Sequence, residues 1–540
     1  MQSPALVDSD PPVVLELASL DVDLGPQRLT LDRPCAMRAG CLYLLVGRSG
    51  SGKSSFARAL LGFGDLADPP IRCRGNVTIT GKARKPRHLW RDAAYDPSAR
   101  ENIAFLPQAE RLGFIDGLTV QDNLTLFSLI TAADAAPEIA RLARQFQLNP
   151  LPQRLASASG GERIRLSAIR GLLRRSVSED VPPVVIADEP TGGLDPVSAT
   201  AMARSLTDLA RRGQSVVIVI THDPKLFFDG AARPALLDEQ GISIIECPLP
   251  PKAAAPSDSA TTIGTLRLAP GPRRSGVAQA WMPTVSNSVS RLGSLTVSPL
   301  AFLWGLLGMH RPLILLRQVL IDASGVGTQA FSLVGCLLIA GTVAYFMFER
   351  MPRPELVEPL LLPEMMALTG HTLVRVVLPL GACGLVTTKL GAAQAARLAA
   401  AVRGGLLETL AMANWRVEGY ALVPAVLAQF LAMSLATILA VAGGLVLAAV
   451  VYVVGHEGQS LPLTVNLMLD GLDHSPHWTR FIMAKIALSS FLGGTMAALY
   501  GSAPSRADDD VARAVHRTLL WSVLAVIACQ CALVVLEFMP

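Results

Sequence analysis

Charge is scarce in this sequence: 17% of its 540 residues are Asp, Glu, Lys or Arg, against 51% hydrophobic. That is too little charge for an ordinary soluble protein, and the shortage falls mainly in the second half. A soluble domain followed by a membrane domain is therefore expected. The chain also lacks a concentrated basic stretch, and its net charge of +4 implies no nucleic-acid partner. Its eight cysteines show no metal-ligand spacing, and Cys529 and Cys531 lie inside an apolar run as buried thiols would. The first residues, "MQSPALVDSDPPVV", have neither the basic start nor the apolar core of a signal peptide, so the first domain is expected in the cytoplasm.

What is present begins with Leu42 to Ser55, "LYLLVGRSGSGKSS". An apolar run rich in β formers leads into Gly47, four residues, then Gly52, Lys53 and Ser54. The context of strand, Gly-rich loop and helix gives the pattern its meaning. Such a loop, Gly47, Arg48, Ser49, Gly50, Ser51, Gly52, Lys53, Ser54 and Ser55, turns backbone N–H groups toward phosphate oxygens, and the helix N-terminus adds its positive dipole end. Lys53 would reach the β- and γ-phosphates of ATP, and the Ser54 hydroxyl would ligate Mg2+.

Further on, "ENIAFLPQ" sets Gln108 after a short apolar run, a placement with little meaning alone. Ser159, Gly160, Gly161 and Glu162 precede an amphipathic helix, which suits either an N-cap or an anion at the exposed N–H groups. Then "VPPVVIADEPTGGLDP" ends a buried strand with Asp188 and Glu189. Adjacent carboxylates there are costly to desolvate unless they meet a cation or a proton-transfer task. Asp188 suits the second shell of Mg2+, and Glu189 suits the base that polarises an attacking water. Another buried strand, "SVVIVITHD", ends at His222, where a histidine can contact a γ-phosphate.

In this order the pieces resemble the ATP-binding cassette (ABC) ATPase family over about residues 13 to 247. The resemblance implies Gly47 to Ser54 as Walker A and Gln108 as the Q-loop residue, with a place among the metal ligands and catalytic groups. It implies Ser159 to Glu162 as the signature loop, with Ala158 where leucine is commoner. Asp188 and Glu189 become Walker B and the catalytic glutamate, Asp195 the D-loop, and His222 the switch histidine. In that family the signature of one copy closes on phosphates held by another, so one set of motifs implies a homodimer. Many members place an aromatic residue after the first strand to stack on adenine; "LASLDVDLGPQRL" offers none.

Residues 1–247 thus read as an α/β P-loop NTPase domain. Residues 248–298, rich in Pro, Ala, Ser and Gly, read as a flexible linker. Residues 299–540 read as an all-α transmembrane permease domain. Leu300 to Leu320 carries Arg311, Pro312 and Arg317, which suggests a helix lying in the interface. Gly327–Phe348 is free of charge over 22 residues. A second span centres on Val376 to Thr388. Gly419 to Gly455 has 37 uncharged residues, about 55 Å as one helix; it must bend near Gly443 and Gly444, project from the bilayer, or hold two short spans. Phe481 to Tyr500 and Thr518 to Phe538 complete five spans, with six as the alternative. Lys389, Arg397, Arg403 and Arg416 against Glu408 mark that loop as cytoplasmic.

The stretch Arg375 to Leu427 resembles the MlaE-type permease of the Mla/Mce lipid transport systems, whose ATPase is of the MlaF kind. Arg375, Pro379-Leu380-Gly381, Lys389-Leu390-Gly391-Ala392-Ala393 and Pro424 carry that likeness, with Lys485 and Phe491 in "MAKIALSSFLGG". Arg397 stands where the family has an acidic residue, and Lys389 where it has arginine. The resemblance implies an ATP-driven homodimer moving lipid or another hydrophobic substrate at a bacterial inner membrane, with Mce-domain ring subunits as partners. The exposed helix from about Arg397 to Trp415 would be its lever, with Glu408 as a contact point. An exporter resembling the ABC G subfamily, or a nucleotide-driven regulatory switch, are the alternatives.

Overall fold

The computed structural model describes residues 12–25, 27–66, 71–80, 86–109, 112–115, 119–126, 132–148, 150–173, 184–211, 215–227, 241–248, 261–270, 299–307, 312–349, 354–413, 415, 418–456, 459–470, 472, 477–503 and 510–539. These fall into two compact units, one of residues 1–279 with 403–415, the other of 280–402 with 416–540.

The first unit is built on a 12-stranded sheet. Its parallel part comprises β4 (Cys41–Gly47), β8 (Ile103–Leu106), β9 (Val184–Asp188) and β10 (Val216–Ile220), in the order β8-β9-β10-β4. β4, β9 and β10 are buried from end to end, as continuous apolar runs in a parallel sheet should be. Alternation sorts their side chains to two cores. Tyr43, Leu45, Val184, Ile186, Val216 and Ile218 meet Phe56 and Leu60 of α1 (Lys53–Leu60) on one face. Leu42, Leu44, Val185, Ala187, Val217 and Val219 face the other side. There they meet α2 (Val120–Leu126), α3 (Ala132–Gln145), α4 (Gly160–Leu173) and α5 (Pro196–Arg211).

The antiparallel part holds β1 (Val13–Asp23), β2 (Gln27–Leu31), β3 (Cys35–Arg38), β5 (Arg72–Thr80), β6 (Pro86–Asp92) and β7 (Ala94–Tyr95). β11 (Gly241–Pro248) pairs with β4, and β12 (Thr261–Pro270) joins β11 to β2. This corrects the linker expectation for 261–270, which is sheet. Asp32 fixes the strand by accepting bonds from the Thr265 N–H at 2.9 Å and from its hydroxyl. The rest of the expected linker, 249–260 and 271–298, lies outside the described residues.

The second unit is helical. α6 (Pro312–Ala323) leads through Ser324 and Gly325 into α7 (Val326–Glu349); α8 (Pro354–Thr372), α9 (Leu378–Val386) and α10 (Ala392–Arg403) follow. α11 (Leu406–Met412) belongs to the first unit. Then come α12 (Val423–Gly455), α13 (Leu461–Asp470), α14 (Trp478–Gly501) and α15 (Asp510–Phe538). Among the described residues, five helical stretches are long and apolar enough to cross a membrane: 315–348, 362–403, 418–455, 478–501 and 511–538. α12 runs unbroken through Gly443 and Gly444. A Cβ on Gly444 would stand 2.8 Å from a Leu378 methyl, so the glycine permits close helix packing rather than a bend. Cys531 is exposed and Cys529 half-buried, against the expectation of buried thiols.

The second span contains π-helical turns at Leu373–Val377 and Thr387–Gly391, holding Arg375 and Lys389. Pro379 cannot donate to the carbonyl four residues back, that of Arg375. Lys485 Nζ donates to that carbonyl at 2.7 Å and also pairs with Glu537 Oε2 at 2.5 Å. Arg375 Nε pairs with Glu537 Oε1 at 2.6 Å. Lys389 Nζ donates to the Gly327 carbonyl at 2.7 Å, and Arg397 makes a two-pronged pair with Asp322 at 2.6 and 2.9 Å.

Candidate active site

Because β4, β8, β9 and β10 are parallel, their C-terminal ends share one edge, where open α/β sheets place their ligands. β4 delivers the Gly-rich loop, β9 delivers Asp188 and Glu189, and β10 leads to His222. β8 leads to Gln108. Gly50 and Gly52 have φ of +80° and +91°, the left-handed backbone that lets the loop curl before α1.

Lys53 is 5% exposed and folds back, with Nζ donating to the carbonyls of Gly47 at 2.7 Å and Arg48 at 2.9 Å. Burial pulls its ammonium below the usual lysine range, while Glu189 and Asp188 push the other way. Ser54 Oγ donates to Asp188 Oδ1 at 2.9 Å, so the hydroxyl and the carboxylate expected at Mg2+ are adjacent. Burial raises the Asp188 carboxyl above its ordinary range; Ser54 opposes this, Glu189 adds to it, and Arg58 and Lys53 oppose it. Ser51 Oγ is buried in the loop without a hydrogen-bond partner. A phosphate oxygen is the kind of acceptor that such a hydroxyl lacks, so the loop fits ATP. The Ser54 and Asp188 oxygens fit a hard cation.

Glu189 forms the centre of a second group. Its Oε1 pairs with His222 Nε2 at 2.8 Å, and its Oε2 accepts from Gln108 Nε2 at 3.2 Å. The residue sits at φ +49°, a rare conformation for a side chain with a Cβ and one often found at functional positions. The Ile220 carbonyl, bonded to the Glu189 N–H at 2.9 Å, and the Gly192 N–H, bonded to its carbonyl at 3.0 Å, hold it there. The arrangement can orient a water beside the phosphate loop. Gln108 contacts the Glu189 carboxylate rather than the Ser54–Asp188 pair.

The remaining motif residues form local structures of their own. Ser159 and Glu162 make a reciprocal cap at the start of α4, with the Ser159 N–H donating to Glu162 Oε2 at 2.7 Å and the Glu162 N–H to Ser159 Oγ at 3.3 Å. The bond from the Ser159 N–H holds the Glu162 carboxyl below its usual range. Gly160 has open space where a Cβ would sit. Gly161 packs toward Leu194, and Asp195 Oδ1 caps α5 through the N–H groups of Val197 at 3.1 Å and Ser198 at 3.0 Å. Arg165 of α4 joins the two helices by donating to Ser198 Oγ of α5 at 3.0 Å. No hydrogen bond joins this group to the phosphate loop among the described residues.

Sequence reasoning missed Glu537. It lies two residues inside the end of an apolar run, and its side chain is 0% exposed between Arg375 and Lys485. The lone acid in that run was the available signal, since a buried charge needs a partner.

Residues 34–192 match the family described as "ABC transporter", and residues 321–536 match "Permease MlaE". The aliphatic sulfonates import ATP-binding protein SsuB of Delftia acidovorans is 34% identical over 185 residues, covering 34% of this chain and 63% of that protein. The lipoprotein-releasing system ATP-binding protein LolD of Shewanella oneidensis is 30% identical over 189 residues, covering 34% of this chain and 74% of that one. The chain spans about a third of the longer relatives from Encephalitozoon cuniculi and Penicillium crustosum, 36% and 29% of their lengths. Among solved structures, a dimeric ATP-binding cassette in a post-hydrolysis state with ADP and phosphate is 21% identical. It covers 40% of this chain and 90% of that chain, at a TM-score of 0.30.

Proposed function

This chain belongs to the ABC transporter family and carries an MlaE-type permease in the same polypeptide, and from that premise we propose that it is an ATP-driven transporter. Two copies form the working unit and move lipid or another hydrophobic molecule at a bacterial inner membrane. The observation that carries the ATPase reading is the convergence of Lys53, Ser54, Asp188, Glu189, Gln108 and His222 at one sheet edge.

In this reading the loop N–H groups and Lys53 bind the phosphates, with Lys53 exchanging its two loop carbonyls for phosphate oxygens. Ser54 and Asp188 hold Mg2+, which supplies charge neutralisation at the phosphates when bound. Glu189 orients and polarises water, and His222 and Gln108 hold its carboxylate in place. Ser159 to Glu162 and Asp195 face the second copy, which accounts for their separation from the phosphate loop of their own chain. The permease offers an apolar path: its intramembrane charges Arg375, Lys485 and Glu537 pair with one another away from it. An Mce-domain ring is the proposed partner on the outer side.

The test is reconstitution of the full chain in liposomes containing labelled phospholipid. Mg2+-dependent ATP hydrolysis coupled to lipid movement supports the reading. Hydrolysis without lipid movement, with movement of an amphiphilic drug instead, favours an exporter. Lipids and Mce-domain proteins retained by the protein purified from its own host, in native nanodiscs, would identify substrate and partner.

A further inference from the structure

The helix α4 starts at the Ser159–Glu162 cap and carries Arg170 near its other end. Arg170 is 6% exposed, and burial pushes its guanidinium down to about 9. Nη1 donates to the Gly113 carbonyl at 2.9 Å, Nη2 donates to the Leu112 carbonyl, and the guanidinium lies over the Phe114 ring at 4.5 Å. Two donors on consecutive carbonyls and a stacked ring fix the plane of this segment, which a point-charge lysine cannot do.

The same segment grips residues 404–409, which belong to the first unit. The Gly113 N–H donates to the Gly404 carbonyl at 2.5 Å. Gly113 has φ +59°, and a Cβ there would stand 2.1 Å from Thr409 Oγ1 and 2.8 Å from the Gly405 carbonyl. A cleft lined by Phe105, Pro107, Arg170, Glu408, Thr409 and Met412 completes the seat. Arg170 is thus one residue away from the start of α11, the segment between the second and third spans.

We propose that Arg170 is a positioning residue that couples the two ends of this path: it makes the signature helix α4 and the 404–409 turn move together through Leu112–Phe114. The inference rests on the ABC reading, in which ATP closure acts on the Ser159–Glu162 end of α4. The side-chain bonds of Arg170 to Gly113 and Leu112 and its stacking on Phe114 lie outside the residues assigned to the nucleotide, so ATP affinity is expected to be unchanged by its substitution.

Hydrogen exchange on the full-length protein in nanodiscs, with and without Mg2+-ATP, tests this on a Glu189→Gln background. ATP is expected to change protection of peptides spanning 404–413 by about tenfold. Adding Arg170→Lys should leave ATP affinity unchanged and reduce that change to less than about twofold. Gly113→Ala, which wedges the same contact from the other side, should do the same and serves if Arg170→Lys folds poorly. A merely structural Arg170 would lower the unfolding midpoint while the ATP-dependent change at 404–413 persisted, and that result overturns the proposal. Failure of Glu189→Gln to bind ATP overturns the ABC reading; ATP binding without any change at 404–413, or a change retained in both added variants, overturns the coupling role alone.

Discussion

Desolvation is the largest influence on Asp188 and raises its pKa, with Glu189 adding to it. An acid whose folded pKa lies above its unfolded value costs folding free energy as pH rises past the unfolded value, and the full cost is present once pH exceeds the folded value. At neutral pH, Asp188→Asn should therefore raise the thermal midpoint of the nucleotide-free protein, while removing the further rise given by Mg2+-ATP. A lowered nucleotide-free midpoint in calorimetry would contradict the desolvation cost. Glu189→Gln has a different expected outcome. It should retain ATP binding and lose hydrolysis by about a hundredfold or more, the usual scale for removing a positioned base. Near-normal phosphate release by this variant would take Glu189 out of the catalytic role. Asp188 and Glu189 were legible in the sequence because two carboxylates ending an apolar strand demand an explanation. Gln108 and His222 were not legible singly. Their meaning comes from the parallel order of β8, β9 and β10, which brings both to one carboxylate.

The second span departs from a plain helix where Pro379 withholds its N–H from the Arg375 carbonyl. Lys485, from α14, donates to that carbonyl, and Glu537, from α15, pairs with both Lys485 and Arg375. Three helices are therefore pinned by one carboxylate. Glu537→Gln leaves two buried cations without their counter-charge, and removing one partner of a buried pair costs about 3–5 kcal/mol. The expected result is a large drop in the detergent unfolding midpoint, with ATP binding by surviving protein unchanged. A midpoint within a degree or so of wild type would show the cluster to be solvated in the working protein. Span positions were readable because apolar length needs no partner to be recognised, whereas this pinning was not, since its members lie far apart in sequence. β12 was hidden for another reason. Its Ile263, Leu266 and Leu268 sit between Pro- and Ala-rich segments whose composition dominates, and only the open edges of β2 and β11 give the strand a place.

At the scale of the whole molecule, the division of the motif residues into two groups makes a prediction about assembly. Lys53, Ser54, Asp188, Glu189, Gln108 and His222 converge, while the Ser159–Glu162 and Asp195 caps start two helices, α4 and α5, that are joined by the Arg165–Ser198 bond. An exposed helix N-terminus with open space over Gly160 is able to receive an anion from outside its own chain. If phosphates held by one copy meet the signature of another, a Lys53→Ala copy still offers a working signature, and a Ser159→Arg copy still offers a working phosphate loop. Either variant alone has no intact site in its homodimer. A mixed dimer has one site with both parts intact and one with neither. At equal amounts about half of the dimers are mixed if copies pair at random, as a closed two-fold interface implies. With one intact site in each mixed dimer and two in each wild-type dimer, the unsorted mixture should recover about a quarter of the wild-type rate and the isolated mixed dimers about half, provided that each intact site turns over independently. The measurement is phosphate release after co-expression with two different tags and sequential purification, which isolates the mixed species. Co-purified pairs with no more activity than the single variants would refute the shared site and point to a chain whose signature serves its own phosphate loop.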